Sequence, residues 1–359
     1  MKICILTFEF NYNYGAVLQA FALSKSLEKM GHQVFIMNRG WQNFSGCTST
    51  KLSLKKIPGH LMGKYITLKP FLDFKKEYLS LTRPIKDAQD LKSISEQFNA
   101  VVVGSDQIWN DEIFSYMDCY YFAESFSPSQ LKIAYAVSMG KDSFTVPTHI
   151  RVKLQGLLNQ FKAISVRENS GIKLMEQFGI KAKWVLDPTL LLDKSEYPQN
   201  TKINHSKYLC KFFLDENVSK NTIAQYIAQS HNIGIKNNYL NKNFNIPIIR
   251  KIINNKYLSI HQWISNIRDA QFVITDSFHG MVFSIIFNKQ FYVIKNAKRG
   301  NTRFESLLDL LNLTDRLIDE NTPIDSLNFK DKIDYIPINK QLSNLKETSI
   351  NFLKQNINQ

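Results

Sequence analysis

The sequence predicts an α/β protein built from two Rossmann-like, doubly wound lobes. Three observations lead there. At 359 residues the chain is too long for one comfortable core and suits two domains of about 100–200 residues each. Short β-rich apolar runs alternate with segments of helical period along most of its length. A polar stretch rich in turn formers, KSEYPQNTKINHS at 194–206, interrupts that alternation once. The expected organisation is a first lobe over 1–193, a linker over 194–206, a second lobe over 207–335, and a C-terminal helix over 336–359 that can pack back on the first lobe.

The elements follow in order. Lys2–Leu6 reads as a strand, a loop with Asn11, Asn13 and Gly15 follows, and Ala20, Leu23, Leu27 and Met30 recur at helical spacing in a helix from Ala16 to Met30 that Gly31 ends. Val34–Met37 completes a β-α-β unit. Residues 45–90 read as basic and irregular. Strands are then expected at Ala100–Val103, Ala134–Ser138, Ala163–Val166 and Lys183–Leu186, with helices over 148–161 and Glu168–Phe178. In the second half Tyr208–Leu214, Phe272–Thr275 and Phe291–Ile294 are strands. Ser259 with Gln262 caps a helix ending near Ala270, and Gly280–Phe287, Arg303–Leu311 and 340–356 are helical.

Composition narrows the class. Hydrophobic residues make up 44% and charged residues 21%, which fits a folded globular chain. Cys4, Cys47, Cys119 and Cys210 are scattered without CxxC spacing, so a reducing compartment is expected and no metal site is. No stretch has the roughly 20 apolar residues of a membrane span and the N-terminal apolar run is short, so a cytoplasmic protein is expected. The net charge of +14 is spread out, with one concentration: Lys202, Lys207, Lys211, Lys220, Lys236, Lys242, Arg250, Lys251 and Lys256 face only Asp215 and Glu216. Two readings stand, a solvated surface or a face for anions such as a phosphorylated donor, a lipid diphosphate or the inner leaflet, where the chain would make a peripheral contact. No zinc finger, RNA-binding aromatic motif or helix-turn-helix signature is present, so nucleic acid is not an expected partner.

Ligands of open α/β sheets collect beyond the carboxyl ends of strands, which singles out four loops. FNYNYGAVLQ (Phe10–Gln19) has Gly15 ahead of a helix N-terminus, either a structural turn or an approach to an anion. GSDQIWN (Gly104–Asn110) places a carboxylate, an amide and an indole after a buried strand; either these meet a sugar, or Trp109 is core and Asp106 a cap. In SVRE, Arg167 can grip a carboxylate or phosphate, or pair with Asp187. TDSFHG puts Asp276, Ser277 and His279 at a strand end, where an imidazole that titrates near neutrality can serve as an acid.

FNYNYGAVLQAFAL, VVGSDQIWN, AYAVSMG, ISVRENSG, VLDPTLLL and ITDSFHGMVFSIIF, in that order, resemble the polysaccharide pyruvyl transferase family over nearly the whole chain. The resemblance implies a GT-B-like pair of lobes with the active site in the cleft between them. It also implies phosphoenolpyruvate as co-substrate with no cofactor or metal, a sugar acceptor such as a lipid-linked oligosaccharide of bacterial capsule or exopolysaccharide synthesis, and a cyclic pyruvate ketal as product. The family's general acid falls on His279 and its first-lobe Arg on Arg167. The family's Arg-x-His pattern is broken, because Ser277 stands where that Arg is expected. Arg299 and Arg303, after the next strand, are the candidate replacements.

The resulting assignment has His279 and Asp106 as catalytic residues, and Arg167, Ser277, Asp276, Gly280, Arg299 and Arg303 on the donor, which the second lobe is expected to hold. Asn13, Tyr14, Gly15, Gln19, Ser105, Gln107 and Trp109 of the first lobe take the acceptor. The chemistry requires an acid to protonate C3 of the enol ether, cations for the leaving phosphate, and a group such as Asp106 to orient or deprotonate an acceptor hydroxyl. A glycosyltransferase using a nucleotide sugar and a non-catalytic assembly protein are the alternatives, and oligomeric state stays open.

Overall fold

The computed structural model describes residues 1–8, 12–39, 58–110, 119–143, 146–241, 256–323, 326–327 and 331–358. Residues 9–11 of the first loop, positions 45–57 with Cys47, and Lys242, Arg250 and Lys251 of the basic region lie outside the described residues.

Six strands form the first sheet: β1 (Lys2–Leu6), β2 (Gln33–Ile36), β3 (Ala100–Val103), β4 (Leu131–Val137), β5 (Ala163–Val166) and β6 (Ala182–Trp184), all parallel in the order β2-β1-β3-β4-β5-β6. Their near-continuous apolar character follows from burial on both faces by helices α1 (Tyr14–Lys29), α2 (Pro58–Tyr78), α3 (Ala88–Ser95), α4 (Thr148–Leu158) and α5 (Asn169–Glu176). After a short 3₁₀ turn and the linker, the chain enters β7 (Tyr208–Phe212), α6 (Val218–Ser230) and β8 (Gly234–Asn237). A small antiparallel pair follows, β9 (Leu240–Asn241) with β10 (Lys256–Tyr257), and then α7 (Ile260–Arg268), β11 (Phe272–Thr275), α8 (Phe278–Ile286), β12 (Gln290–Ile294), α9 (Thr302–Leu310) and β13 (Leu317–Ile318). The second sheet is also parallel, in the order β13-β12-β11-β7-β8.

Strand order reverses at β1/β3 in the first sheet and at β7/β11 in the second. Crossover loops leave such a point in opposite directions and open a crevice. The loops after β1, β3, β7 and β11 therefore belong to the two switch points.

Two expectations are corrected. The stretch read as irregular contains α2 and the start of α3 among its described residues. Pro70 and clustered lysines mask the helical pattern of α2, yet Leu68, Phe71 and Phe74 are buried on one side of it. The polar α6 escaped the sequence reading altogether; Asn217 caps it by accepting from the Lys220 amide, and only Ile223, Ala224, Ile227 and Ala228 supply its apolar stripe.

The lobes share one core. Tyr14, at the start of α1, stacks on Trp263 of α7 with ring centres 5.1 Å apart, and its hydroxyl donates to the carbonyls of Leu258 (3.0 Å) and Tyr239 (3.4 Å). The last helix, α10 (Tyr335–Ile357), bridges both: Tyr335 donates to the Lys289 carbonyl of the second lobe, and Ser349 accepts from the Leu186 amide of the first. Tyr14→Phe is expected to cost about 1 kcal/mol by leaving two carbonyls without their donor, and Tyr14→Ala about 3–5 kcal/mol through the cavity it opens. Urea unfolding of the two variants checks the difference.

Candidate active site between the lobes

Four strand ends supply the centre of the site. Asp187, just beyond β6, is fully enclosed and gathers donors: Thr189 gives its amide (3.0 Å) and hydroxyl (2.6 Å) to Oδ1, while Ser105 Oγ (3.0 Å) and Arg167 Nη1 (2.9 Å) reach Oδ2. The imidazole of His279, from the second lobe, brings Nε2 to 3.7 Å from the same Oδ2. Burial opposes ionisation here, but His279, Arg167 and Thr189 outweigh it and hold the Asp187 carboxyl well below the usual carboxylate range.

His279 stands in the first turn of α8, whose N-terminus Ser277 caps by accepting from the Gly280 amide. Its ring rests directly on Gly15 of α1: a β-carbon at that position would lie 1.9 Å from Nδ1. Only glycine permits this approach. Asn13 caps α1 through the Gly15 and Ala16 amides, which fixes the surface the imidazole meets.

Two guanidiniums border the same centre. Arg167, 3% exposed, lies over the Phe278 ring at 4.6 Å from its centroid, and Arg303 lies 5.7 Å from that centroid. Beyond Nη1, the Nε and Nη2 of Arg167 and the Nε of Arg303 are buried without a hydrogen-bond partner. Burial lowers the Arg167 pKa, but Asp187, Asp106 and Glu168 raise it overall. Burial and the facing Arg167 push Arg303 down to about 10. A bound anion between two such cations relieves both effects.

The neighbouring carboxylates are unequal. Glu168 Oε1 accepts from Ser138 Oγ and from the Met139 and Gly140 amides, so it holds the β4 loop. Asp106 sits 3.6 Å from Arg167 Nη2 with its side chain 17% exposed, so of the three acids it is the one open to a ligand. Its backbone is left-handed (φ 80°), which costs a non-glycine residue energy and is held by bonds from the Ile108 and Ser138 amides to its carbonyl.

Next to this centre opens a cleft of about 540 Å³ lined from both lobes, by Gln107, Asn110 and Gly140 on one side and Asp215, Arg299 and Asn301 on the other. Arg299 is fixed by Asp215 (2.6 Å), and its carbonyl accepts from Gln107 Nε2 across the lobes. Gly300, at φ 78°, passes so close to the Gly140 carbonyl that a β-carbon would lie 2.0 Å from it.

Of the residues singled out from sequence, His279, Arg167, Arg303, Asp106, Ser105 and Gly15 come together, and Gln107 and Arg299 line the adjoining cleft. Others are placed elsewhere. Trp109, expected on the acceptor, is 0% exposed, stacked on Phe122 and bonded through Nε1 to the Tyr121 carbonyl; its indole completes the first core. Tyr14 belongs to the shared core, and Gln19 donates to Thr7 Oγ1 inside the first lobe. Asp276, expected on the donor, is consumed by the Leu214 and Asp215 amides, Lys220 Nζ and Asn296 Nδ2. Gly280 packs against Thr275 and Phe212, Asn13 is a cap, and Ser277 is a cap rather than an anion grip. Asp187 is named from sequence only as an ion-pair partner of Arg167, a pair that forms at 2.9 Å, and was not placed among the site residues.

Fold and site together define a GT-B-like α/β protein of two Rossmann-like lobes with a polar centre where the ends of β3, β5 and β6 meet the start of α8. The chain belongs to the polysaccharide pyruvyl transferase family, whose model matches residues 13–298. Among curated proteins none matches it significantly. Among solved structures it is similar to a putative UDP-N-acetylglucosamine 2-epimerase of Listeria monocytogenes (TM-score 0.53, 9% identity, covering 98% of this chain and 94% of that one). It is also similar to S. aureus MnaA with UDP (0.52, 12%, 99% and 96%) and to UDP-GlcNAc 2-epimerase of Neisseria meningitidis bound to UDP-GlcNAc (0.51, 10%, 99% and 94%). At these identities the likeness is one of fold. Among the described residues no helix is long and apolar enough to cross a membrane, and no group of three or more His, Cys, Asp or Glu side chains could hold a metal ion.

Because Trp109 is core, Trp109→Phe is expected to lower stability by roughly 1–3 kcal/mol through lost packing and the lost Tyr121 bond. Calorimetry should show the lower melting temperature, and a sugar-acceptor titration should show unchanged affinity.

Proposed function

We propose that the protein transfers a pyruvyl group from phosphoenolpyruvate to a hexose or hexosamine of a surface-polysaccharide precursor, forming a cyclic ketal and releasing phosphate. The observation that carries this reading is the convergence of one imidazole and two guanidiniums with unpartnered N–H groups on Phe278. A donor that needs a proton at carbon and cations at phosphate and carboxylate asks for that set of groups.

In this reading Arg167 and Arg303 hold the donor's anionic groups from opposite lobes, and Arg303 takes the part that an Arg at position 277 plays elsewhere in the family. His279 protonates C3. The acceptor hydroxyl attacks C2 while Asp106, strained and partly exposed, accepts its proton. Phosphate then leaves, its growing charge met by the guanidiniums, as a second hydroxyl closes the ketal and gives its proton to the departing phosphate. Glu168 and Asp187 already accept from first-lobe donors, Arg167 among those of Asp187, whereas Arg303 faces no ion-pair partner among the described residues. The polar cleft beside Asp106 takes the sugar, with Gln107 and Asn301 as hydrogen-bonding walls. A lipid-linked oligosaccharide is the acceptor we favour, met by the enzyme at the cytoplasmic face of the membrane in this reading.

Mass spectrometry of candidate lipid-linked oligosaccharides incubated with the protein and phosphoenolpyruvate should show the added pyruvyl mass. Thermal stabilisation by nucleotide sugars alone, with none by phosphoenolpyruvate, would sink the proposal in favour of a glycosyltransferase. His279→Ala is expected to lower kcat by about 10²–10⁴. Arg303→Ala is expected to raise the KM for phosphoenolpyruvate, and adding Ser277→Arg to that variant should restore part of the loss; steady-state kinetics reads both.

A further inference from the structure

The two nitrogens of His279 have different surroundings, and the difference assigns them different tasks. Nε2 is sealed from solvent, has no hydrogen-bond partner, and faces the Asp187 carboxylate at 3.7 Å. Nδ1 is not sealed in this way; it lies against Gly15, where a β-carbon would come within 1.9 Å of it. A proton on Nε2 therefore points at a fixed negative charge and has no route to a ligand. We infer that Nδ1 is the nitrogen that delivers the proton to substrate, and that Asp187 is a positioning residue that keeps the Nε2 proton in place. This deepens the proposed pyruvyl transfer and rests on it.

The imidazolium Nδ1–H bond breaks as the enol π pair of the donor forms a new C–H bond at C3. The ring is left neutral with its remaining proton on Nε2 toward Asp187, and the cationic C2 is trapped by the acceptor oxygen, whose proton passes to Asp106.

Asp187 has a second task through the same oxygen. Oδ2 receives Arg167 Nη1 at 2.9 Å and faces His279 Nε2, so one carboxylate sets the direction of the acid and of a donor-gripping guanidinium. Ser105 and Thr189 lock that carboxylate in turn. Ser105, which the sequence assigned to the acceptor, thus acts through Asp187.

The test begins without substrate. In protein labelled with ¹⁵N-histidine, the neutral His279 ring is expected to carry its proton on Nε2, with a bare Nδ1 in the nitrogen spectrum; a proton on Nδ1 would overturn the inference whatever the donor proves to be. In Asp187→Asn the preference for the Nε2–H form is expected to weaken, kcat to fall on the order of 100-fold, and the KM for phosphoenolpyruvate to rise as Arg167 loosens. An unchanged tautomer and unchanged kcat count against the role of Asp187. Gly15→Ala, which leaves Asp187 and Arg167 untouched, gives a second readout should Asp187→Asn not fold: kcat is expected to fall on a similar scale with KM for the donor little changed, and full activity would refute the role of Nδ1. If no pyruvyl transfer is found for the wild type, the proposed function and the proton delivery by Nδ1 fail, while the tautomer measurement still decides whether Asp187 keeps the proton on Nε2.

Discussion

A carboxylate taken fully out of water stays charged only if the protein replaces the water with donors, and Asp187 meets that demand from several directions at once. Thr189 lies two residues on, Ser105 follows β3, Arg167 follows β5, and His279 comes from the other lobe. Its need for donors ties together strand ends that are distant in sequence. The guanidinium and the imidazole are in turn oriented by the charge they help to stabilise. Remove the carboxylate and a buried guanidinium and a buried imidazole lose their common reference, which is costly wherever solvent cannot step in.

Much of this was legible in the sequence because parallel sheets are written plainly. Short apolar runs such as Ala100–Val103 and Phe272–Thr275 are buried on both faces, and the polar residues that follow them stand at the carboxyl edge. That rule placed His279, Arg167 and Asp106 near one another without any contact being known. It failed where identity suggested a role that geometry denied. An indole beside a carboxylate invites a sugar, but Trp109 turns inward onto Phe122. Asp276 looked available and is spent on two amides, a lysine and an amide side chain of its own lobe.

The missed residue has a different cause. Asp187 precedes a proline at the end of the short strand β6, and nothing in its local sequence separates a cap from a hub. It does cap the following turn through Thr189, and its second oxygen carries the longer-range bonds. Non-local partners are invisible to spacing rules. The helix α6 went unseen for a related reason: its apolar stripe is thin, and its start is set by an Asn217 side chain rather than by hydrophobic period. Arg303 was named from proximity of successive strand ends, and its burial opposite Arg167 supplies the physical content that proximity lacked.

Tyr14 belongs by sequence to the first lobe and by packing to both, its ring against Phe71 of the first lobe and Trp263 of the second and its hydroxyl on two second-lobe carbonyls. The lobes are therefore poor modules. A lineage that exchanged one of them wholesale would inherit a mismatched aromatic seat directly beside Gly15 and the imidazole. Diversification of such a protein is confined to what can vary without disturbing that seat, chiefly the loops of the cleft wall, so its scaffold evolves as a single heritable unit.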